Sequence, residues 1–327
     1  MKNKTMIEYP LNPEPIRVEI EPTNICNANC IFCPRWNVRK PKGFLNLKNF
    51  SQFLDRLNEY RNKMWINRLS YLKKYPRIIF AGMGEPTLHP RIVDIVKEGS
   101  RRGFDTELVT NGAKLTGKLA SKLAKAGLYR LSLSLHSLNP DIYYYLMRLE
   151  LTEMLPRIEE ALKALDETNV DVEIWKICTS ESYNDVKNAE DEKSFREFLS
   201  HFKKKIRMLG PTPAWNRGGQ MPAYKNWANV HDNDKIWCEL LYFTLNIAWD
   251  GTTTMCCCDF PSITVPLGDA WKENIDVLQK RRNEIFNRPL SKPICKNCRR
   301  PKDQTYEELY CALKKNYELN TNLYESE

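Results

Sequence analysis

The stretch that decides the fold reads Cys26-Asn27-Ala28-Asn29-Cys30-Ile31-Phe32-Cys33-Pro34. Its C-x-x-x-C-x-x-C spacing can hold three irons of a 4Fe–4S cluster and leave the fourth iron without a protein ligand. Clusters that only carry electrons usually have four cysteine ligands, so an open iron indicates a cluster that binds another molecule. The alternatives are a structural zinc site, which normally needs a fourth Cys or His, and a disulfide pair, which suits small secreted domains.

Around this stretch, strand and helix patterns alternate about six times over residues 16–210, which predicts a parallel sheet wrapped by helices. The predicted strands are 16–20, 77–81, 105–110, 129–136, 170–177 and 206–209. The predicted helices are 47–72, 91–102, 115–126, 152–167 and 194–205. The cysteine stretch, the loop 82–86 and the loop 110–112 each follow a strand, so we expect all three at the ligand-binding edge of the sheet.

These motifs resemble those of the radical S-adenosylmethionine (SAM) enzymes, which have an aromatic residue before the third cysteine. The run Gly82-Met83-Gly84-Glu85-Pro86 resembles the glycine–glutamate–proline loop of that family, with Met83 where its commonest form has glycine. The resemblance implies an α/β fold, a partial (β/α)6 TIM-like barrel. It also implies that the reduced cluster gives SAM one electron, and that the resulting 5′-deoxyadenosyl radical abstracts hydrogen from a substrate carbon.

The resemblance also implies roles for individual residues. Cys26, Cys30 and Cys33 would ligate the cluster, and its open iron would bind the amino and carboxylate groups of SAM. The residues expected to contact SAM are Phe32 beside the adenine, Gly82, Gly84 and Glu85 near the amino group, and Asn111 and Ser134 near the carboxylate and ribose. A buried strand serine is the alternative interpretation of Ser134.

A second cysteine pattern lies in the C-terminal part. Cys238 is followed by twelve residues and Gly251, then four residues and Cys256, and Cys295 and Cys298 form a C-x-x-C pair. A zinc ribbon also combines a hairpin with C-x-x-C. The pattern is similar to the auxiliary-cluster extension called SPASM, or to its short form, twitch. Only Cys311 follows Cys298, too few ligands for a second auxiliary cluster, so we expect the twitch-like form with one auxiliary 4Fe–4S cluster.

The C-terminal part is expected to contain a hairpin at 242–248 and 252–255, a helix at 272–286 and another at 306–317. The whole chain would then divide into an N-terminal extension (1–15), a radical SAM core (16–210), a connector or lid (211–237) and a twitch/SPASM-like auxiliary cluster domain (238–327).

Two cysteines beside Cys256 are spare. Strand alternation would place Cys257 on the face opposite Cys256, and Cys257 and Cys258 are either small buried side chains or thiols that donate hydrogen to a substrate radical. A donor thiol predicts an epimerase. Without one, the auxiliary cluster could accept an electron and an alcohol would leave as a ketone. That oxidation needs a base, for which Arg217, Asp259 and His136 are the candidates.

The composition of the chain indicates what kinds of molecule it binds. The chain has 327 residues and a formal net charge of +9, which favours acidic or phosphorylated partners unless the scattered lysines simply form a solvated surface. No secretory signal or membrane span is evident, so we expect a cytoplasmic protein. No leader-binding domain precedes the first strand, which favours a small polar substrate: a sugar, an aminocyclitol or a nucleotide-type sugar.

Other functions stay open at this point. The chain could modify a ribosomal peptide by epimerisation or crosslinking, or mature a residue of another protein. It could also be a non-enzymatic, metal-containing nucleic-acid-binding protein, although nucleic acid is the less expected partner. A radical SAM enzyme also implies an electron donor such as flavodoxin or ferredoxin.

Overall fold

The structure is a computed structural model that describes residues 15–68, 76–179, 182, 185–215, 217–224, 239–260, 265–286 and 293–298. Within these residues, nine strands form one sheet in the order β6-β5-β4-β3-β2-β1-β7-β8-β9. The strands are β1 (Arg17–Ile20), β2 (Arg77–Phe80), β3 (Thr106–Thr110), β4 (Arg130–Ser134), β5 (Asp171–Cys178), β6 (Arg207–Pro213), β7 (Thr244–Ile247), β8 (Thr252–Thr254) and β9 (Pro266–Asp269).

Strands β1 to β6 are parallel neighbours, as the alternation of strands and helices predicts. The sheet does not close on itself, since β6 and β9 stand at its two ends. The predicted partial TIM-like barrel is therefore confirmed, and so is a C-terminal hairpin followed by a helix.

The described residues also form helices. They are α1 (Leu47–Arg68), α2 (Ile92–Ser100), α3 (Gly117–Lys125), α4 (Pro140–Met147), α5 (Leu151–Leu165), α6 (Asp185–Leu199), α7 (Glu239–Phe243), α8 (Ile275–Phe286) and α9 (Pro293–Asn297). Alternate residues of the strands face the helices and are buried with them in one hydrophobic core. Val18, Ile20 and Leu131 of the strands belong to this core, as do Phe53 and Leu57 of the helices. This burial is the main force that holds the helices on the sheet.

The inner face of the sheet is polar because the strand residues that point away from the helices include charged side chains. Near the amino ends of the strands, Arg130 lies 2.9 Å from Asp171 and 3.6 Å from Glu107 and from Glu173. Arg207 also pairs with Asp171 and Glu173. This network lies at the amino ends of the strands, and the cysteine loop lies at their carboxyl ends, where parallel sheets bind ligands.

Two boundaries differ from the prediction. Helix α6 begins at Asp185 and ends at Leu199, whereas 194–205 was expected, because the charged stretch 187–193 is compatible with a helix but has no apolar period. Strand β6 continues to Pro213, inside the predicted connector, because residues 212 and 213 still pair with β5. Helix α4 was not predicted from the sequence. The predicted helix 306–317 lies outside the described residues.

The hairpin of β7 and β8 is part of the main sheet. β7 pairs with β1 in parallel, from Arg17 with Thr244 to Ile20 with Ile247, and β8 pairs with β7 antiparallel. The C-terminal cysteines are thereby placed beside the strand that leads into the cysteine loop. Among the described helices, none is long and apolar enough to cross a membrane.

Candidate active site

The cysteine loop lies at the carboxyl end of β1 and is held by the last turn of α4. The Asn29 and Ile31 amides donate hydrogen bonds to the carbonyls of Met147 and Leu146, at 3.2 and 3.0 Å. Arg148, which follows, has φ 54°, a left-handed conformation that ends the helix. The otherwise unpaired carbonyls at the end of α4 thus fix the conformation of the loop.

The three loop thiols are free and partly buried. The Cys26 sulfur accepts the Ala28 amide at 3.4 Å, and the Cys30 sulfur lies 3.4 Å from the Met147 sulfur. Burial raises the pKa of Cys26 to about 11, and it also raises the pKa values of Cys30 and Cys33. The metal-free thiols are therefore protonated at neutral pH, and a metal must displace their protons to bind.

The arrangement fits a cluster better than a single ion. The Cys30 thiol interacts electrostatically with those of Cys33 and Cys26, so the three groups are near neighbours. Yet among the described residues, no three His, Cys, Asp or Glu side chains stand close enough to share one metal ion. Three neighbouring thiols match three protein-held irons of a 4Fe–4S cluster, whereas a structural zinc ion normally needs a fourth Cys or His ligand.

The loop after β2 packs directly on the cysteine loop. The Glu85 amide donates to the Ile25 carbonyl at 2.8 Å, and a Cβ at Gly84 would overlap the Thr23 carbonyl oxygen. Gly82 has φ 148°, and a Cβ there would lie 2.7 Å from the Glu21 side chain. Both glycines are therefore needed for the two loops to approach, a requirement separate from any contact with SAM.

Glu85 joins this loop to the end of β3. Its buried carboxylate accepts hydrogen bonds from the Thr87 amide and hydroxyl, the Thr110 hydroxyl and the Asn111 amide, at 2.6–3.0 Å. Burial raises its pKa, and these donors oppose that rise. The Asn111 side chain in turn donates to Asn27 at 2.9 Å. The structure thus connects three of the predicted site motifs through hydrogen bonds.

Two other predicted SAM contacts lie at the same end of the sheet. Phe32 is buried and its ring meets His136 edge-on at a centroid distance of 5.2 Å. Burial lowers the pKa of His136 to about 4, so this ring is neutral at pH 7, and its Nδ1 contacts the Trp175 carbonyl oxygen and the Ile177 amide. Ser134 ends β4 and is only partly buried.

The C-terminal cysteines are arranged differently from the prediction. β8 ends at Thr254, and Cys257–Asp259 form one helical turn, so the strand alternation that would separate Cys257 from Cys256 does not apply. Hydrogen bonds with the Cys256 and Cys257 thiols, and then burial, raise the pKa of Cys258. The three consecutive thiols therefore lie together.

The thiols of Cys257 and Cys258 lie in different surroundings. Cys258 is buried within the main core. Cys257 is partly exposed and packs against a small apolar cluster of Met83, Ala248 and Phe260, which Cys33 also contacts. Asp259 is fully buried and accepts the Val265 amide at 2.9 Å, which leaves it a structural role and makes it a poor candidate for a base.

Cys295 and Cys298 lie on and just after α9, where the Cys298 amide donates to the Cys295 carbonyl at 3.2 Å. The segment Arg217–Gly219 contacts both α9 and the turn Cys257–Asp259. The structure thus brings the C-x-x-C pair and the Cys256 region onto one connecting segment. Cys238 lies outside the described residues.

A family model, the radical SAM superfamily, matches residues 20–213, which hold the last residue of β1, the cysteine loop and the five parallel strands from β2 to β6. The chain belongs to the radical SAM superfamily. It is therefore a radical SAM enzyme, and the family binds SAM and a 4Fe–4S cluster.

Among its relatives, the chain is 32% identical over 161 residues to a protein described as a probable GTP 3′,8-cyclase from Thermococcus kodakarensis. The match covers 49% of this chain and 48% of that protein, so the chain spans about half the length of this relative.

Two solved structures share the fold over nearly the whole chain. One is BtrN in complex with AdoMet and 2-DOIA, with a TM-score of 0.60, 16% identity and coverage of 90% of this chain and 97% of that one. The other is anSMEcpe with bound AdoMet, with a TM-score of 0.57, 15% identity and coverage of 92% and 95%. At these identities the likeness shows the radical SAM fold with a C-terminal extension.

Three residues of the site were not predicted from the sequence. Arg35 donates to the Ala28 carbonyl at 2.9 Å and so braces the cysteine loop; its place two residues after Cys33 is a signal that could have been used. Met147 and Glu21 had no such signal, since each reaches the site only through the fold.

Proposed function

We propose that this radical SAM enzyme abstracts hydrogen from a C–H bond of a small polar substrate, of the sugar, aminocyclitol or nucleotide type, and that the product is an epimer. Dehydrogenation of an alcohol is the alternative outcome. The observation that carries the proposal is that Cys257 and Cys33 pack against the same small apolar cluster of Met83, Ala248 and Phe260. The shared cluster supports a position for this spare thiol near the loops that are proposed to hold the iron–sulfur cluster and SAM.

We assign the cluster to Cys26, Cys30 and Cys33, and SAM to the surface formed by Phe32, Gly82, Gly84, Glu85, Asn111 and Ser134. When bound, the cluster and SAM supply hydrogen-atom abstraction from an unactivated carbon, as the family resemblance implies. The chain's own part is to orient these groups. Because the Glu85 carboxylate already accepts four protein hydrogen bonds, we expect it to act by shaping the loop, with backbone groups and Ser134 left to contact SAM.

Cys257 is the better candidate for the hydrogen donor. Its thiol is partly exposed, whereas that of Cys258 is buried in the core. In this step the S–H bond breaks and a C–H bond forms on the opposite face of the substrate carbon. One electron and one proton, from a low-potential donor of the flavodoxin or ferredoxin class, then restore the thiol.

We also propose an auxiliary 4Fe–4S cluster on Cys238, Cys256, Cys295 and Cys298. The support is the shared contact of α9 and the Cys257–Asp259 turn with the segment Arg217–Gly219. A zinc ribbon would use the same four ligands. Protein in which Cys26, Cys30 and Cys33 are all changed to Ala should keep about four irons, and zinc in their place would favour the ribbon.

The first experiment tests SAM cleavage. Anaerobically reconstituted and reduced protein should convert SAM to 5′-deoxyadenosine and methionine. Cys30→Ala should abolish this conversion, and Cys178→Ala, a buried cysteine at the end of β5, serves as the matched control. A colourless protein with zinc at the loop cysteines would overturn the cluster assignment.

The second experiment tests the outcome of the reaction. In heavy water, an epimerase should place one deuterium at the inverted carbon, because a thiol exchanges its hydrogen with solvent. Cys257→Ala should stop product formation while SAM cleavage continues, and Cys258→Ala, which removes a thiol one residue away, should still give product. A product two hydrogens lighter, formed equally well by Cys257→Ala, would instead establish dehydrogenation.

The alternative functions differ in their support. Modification of a ribosomal peptide or of a protein residue stays open, since a solved structure of similar fold holds a Cp18Cys peptide. Peptide substrates should therefore be included in the substrate search. A non-enzymatic nucleic-acid-binding role is set aside because the chain belongs to an enzyme superfamily.

A further inference from the structure

The segment from Arg217 to Gly219 has an unusual backbone. Its three residues have φ values of 47°, 70° and 92°, and the left-handed region disfavours any residue other than glycine. A Cβ at Gly218 would overlap Ile294, and one at Gly219 would lie 3.1 Å from the Asn297 side chain. The segment therefore lies directly on α9, and this contact holds Arg217 in a conformation that it would not adopt alone.

The other side of the segment is also fixed. The Gln220 side chain donates hydrogen bonds to the carbonyl oxygens of Arg217 and Cys258, and Gly218 is buried. Arg217 is thus positioned from two sides, by α9 and by the turn that carries Cys257 and Cys258.

The Arg217 side chain lies between the two cysteine regions. Its guanidinium carbon is 4.8 Å from the centre of the Trp215 ring. The charged or ionisable groups that it interacts with are the thiols of Cys258, Cys257 and Cys33 and the carboxylate of Glu19. Glu19 lies on the inner face of β1, so the guanidinium is at the carboxyl end of the barrel interior.

Arg217 differs from the other arginines of the barrel in its partners. Arg130 and Arg207 donate to Asp171 at 2.9 and 2.8 Å. Across the described part of the chain, by contrast, the Arg217 guanidinium donates no hydrogen bond and forms no ion pair. It is half-buried, so its five N–H donors are partly withdrawn from water without an acceptor among the residues that the structure describes. A guanidinium in this state is suited to a carboxylate or phosphate ligand.

We propose that Arg217 binds an anionic group of the substrate, a carboxylate or a phosphate, and so holds the reacting carbon between the cysteine loop and Cys257. The inference rests on the proposed function only in taking this end of the barrel as the substrate site. The ring of Trp215 supports the guanidinium from one face, which leaves its N–H edge for the anion. The net charge of +9 is consistent with an anionic substrate.

The test is anion binding by the reconstituted enzyme with SAM and without reductant, measured by titration calorimetry. Inorganic phosphate and acetate are the two probes, and stronger binding of one indicates which anion the substrate carries. Arg217→Gln should weaken that binding by about tenfold or more. Arg207→Gln, which removes an arginine of the same barrel, is the matched control and should bind as the wild type does. Iron content and SAM cleavage are measured separately, so failure of the proposed function is distinguishable from failure of this inference.

A second measurement uses the unmodified chain, in case Arg217→Gln does not fold. Phenylglyoxal modifies arginine side chains, and peptide mass spectrometry can follow each arginine. The probe anion should slow modification of Arg217 and leave Arg207 unchanged. The inference is overturned if neither anion binds saturably, if folded Arg217→Gln binds as tightly as the wild type, or if neither anion protects Arg217. A shift in cluster potential in Arg217→Gln with unchanged anion binding would also overturn it, in favour of a counter-charge for the cluster.

Discussion

At the scale of single residues, Glu21 connects three parts of the site. It is buried at the carboxyl end of β1, where its carboxylate accepts the Met83 amide at 2.8 Å and the Trp249 amide at 3.5 Å. It thereby joins β1 to the loop after β2 and to the β7–β8 hairpin. Burial raises its pKa to about 7, and the hydrogen bonds from Met83 and Trp249 oppose that rise.

This pKa predicts a pH-dependent stability. The folded state holds the Glu21 proton more tightly than the unfolded chain, whose pKa is near 4.5. The Glu21 contribution to stability is therefore fully present below pH 4.5 and is lost as pH rises to about 7, by an amount on the order of 3 kcal/mol. Glu21→Gln keeps an acceptor for Met83 and cannot ionise, so above pH 7 it should be more stable than the wild type.

Urea denaturation of metal-free protein from pH 4.5 to 8 checks this prediction. The difference between the wild type and Glu21→Gln should grow over that range and then level off. The exposed Glu190 provides the control, and Glu190→Gln should follow the wild-type curve. If the free energies of unfolding of the wild type and Glu21→Gln changed with pH in parallel, ionisation of Glu21 would not destabilise the folded state, and the prediction would be wrong.

At the scale of secondary structure elements, a buried ion pair joins β5 to α6. Lys176 lies 2.6 Å from Asp191, with side-chain exposures of 3% and 8%. Asp191 also accepts the Ser137 hydroxyl at 2.8 Å and the Leu138 amide at 2.7 Å. The pair therefore fixes α6 and the loop after β4 relative to β5, beside the predicted SAM site.

Removing one partner should be costly because the other charge stays buried. We expect Lys176→Met to lower the free energy of unfolding by roughly 3–5 kcal/mol, and adding Asp191→Asn to restore part of it. The exposed pair of Lys203 and Glu167, at 2.7 Å with exposures of 79% and 77%, is the control, and Lys203→Met should have no measurable effect. Urea denaturation compares them, and equal losses for the two lysine variants would refute the argument.

At the scale of the whole molecule, β1 is an interior strand with β2 on one side and β7 on the other. The radical SAM core and the C-terminal hairpin therefore share a hydrogen-bonded sheet, although the domain boundaries predicted from the sequence would separate them. The division of the chain into a core and a separate auxiliary cluster domain stays a prediction.

The shared sheet predicts a single unfolding transition. In metal-free protein, thermal unfolding followed by far-ultraviolet circular dichroism and by tryptophan fluorescence should coincide. Truncation after Pro213 should give aggregated protein, because the exposed β1 edge would carry unpaired N–H and C=O groups. A soluble monomer of that length with a native spectrum would show that the core folds without the hairpin.

The sequence alone determined what depends on local pattern. Apolar periodicity and short apolar runs predicted all six parallel strands, β1 to β6, although β6 extends beyond the predicted residues 206–209. The cysteine spacing and the loop Gly82–Pro86 indicated the family, because the geometry of a cluster site is set by residues close together in the chain. The position of α6 could not be predicted in this way, because a charged helix that is held by tertiary contacts has no apolar periodicity of its own.

Only the tertiary structure decided which distant residues meet. Three features join parts of the chain that are far apart in sequence: the parallel pairing of β7 with β1, the packing of Cys257 and Cys33 on one apolar cluster, and the position of Arg217 near both cysteine regions. No local pattern specifies these contacts, because they depend on how the sheet edge, the hairpin and α9 pack together. The same packing buries Glu21 and so raises its pKa, which its sequence position could not reveal.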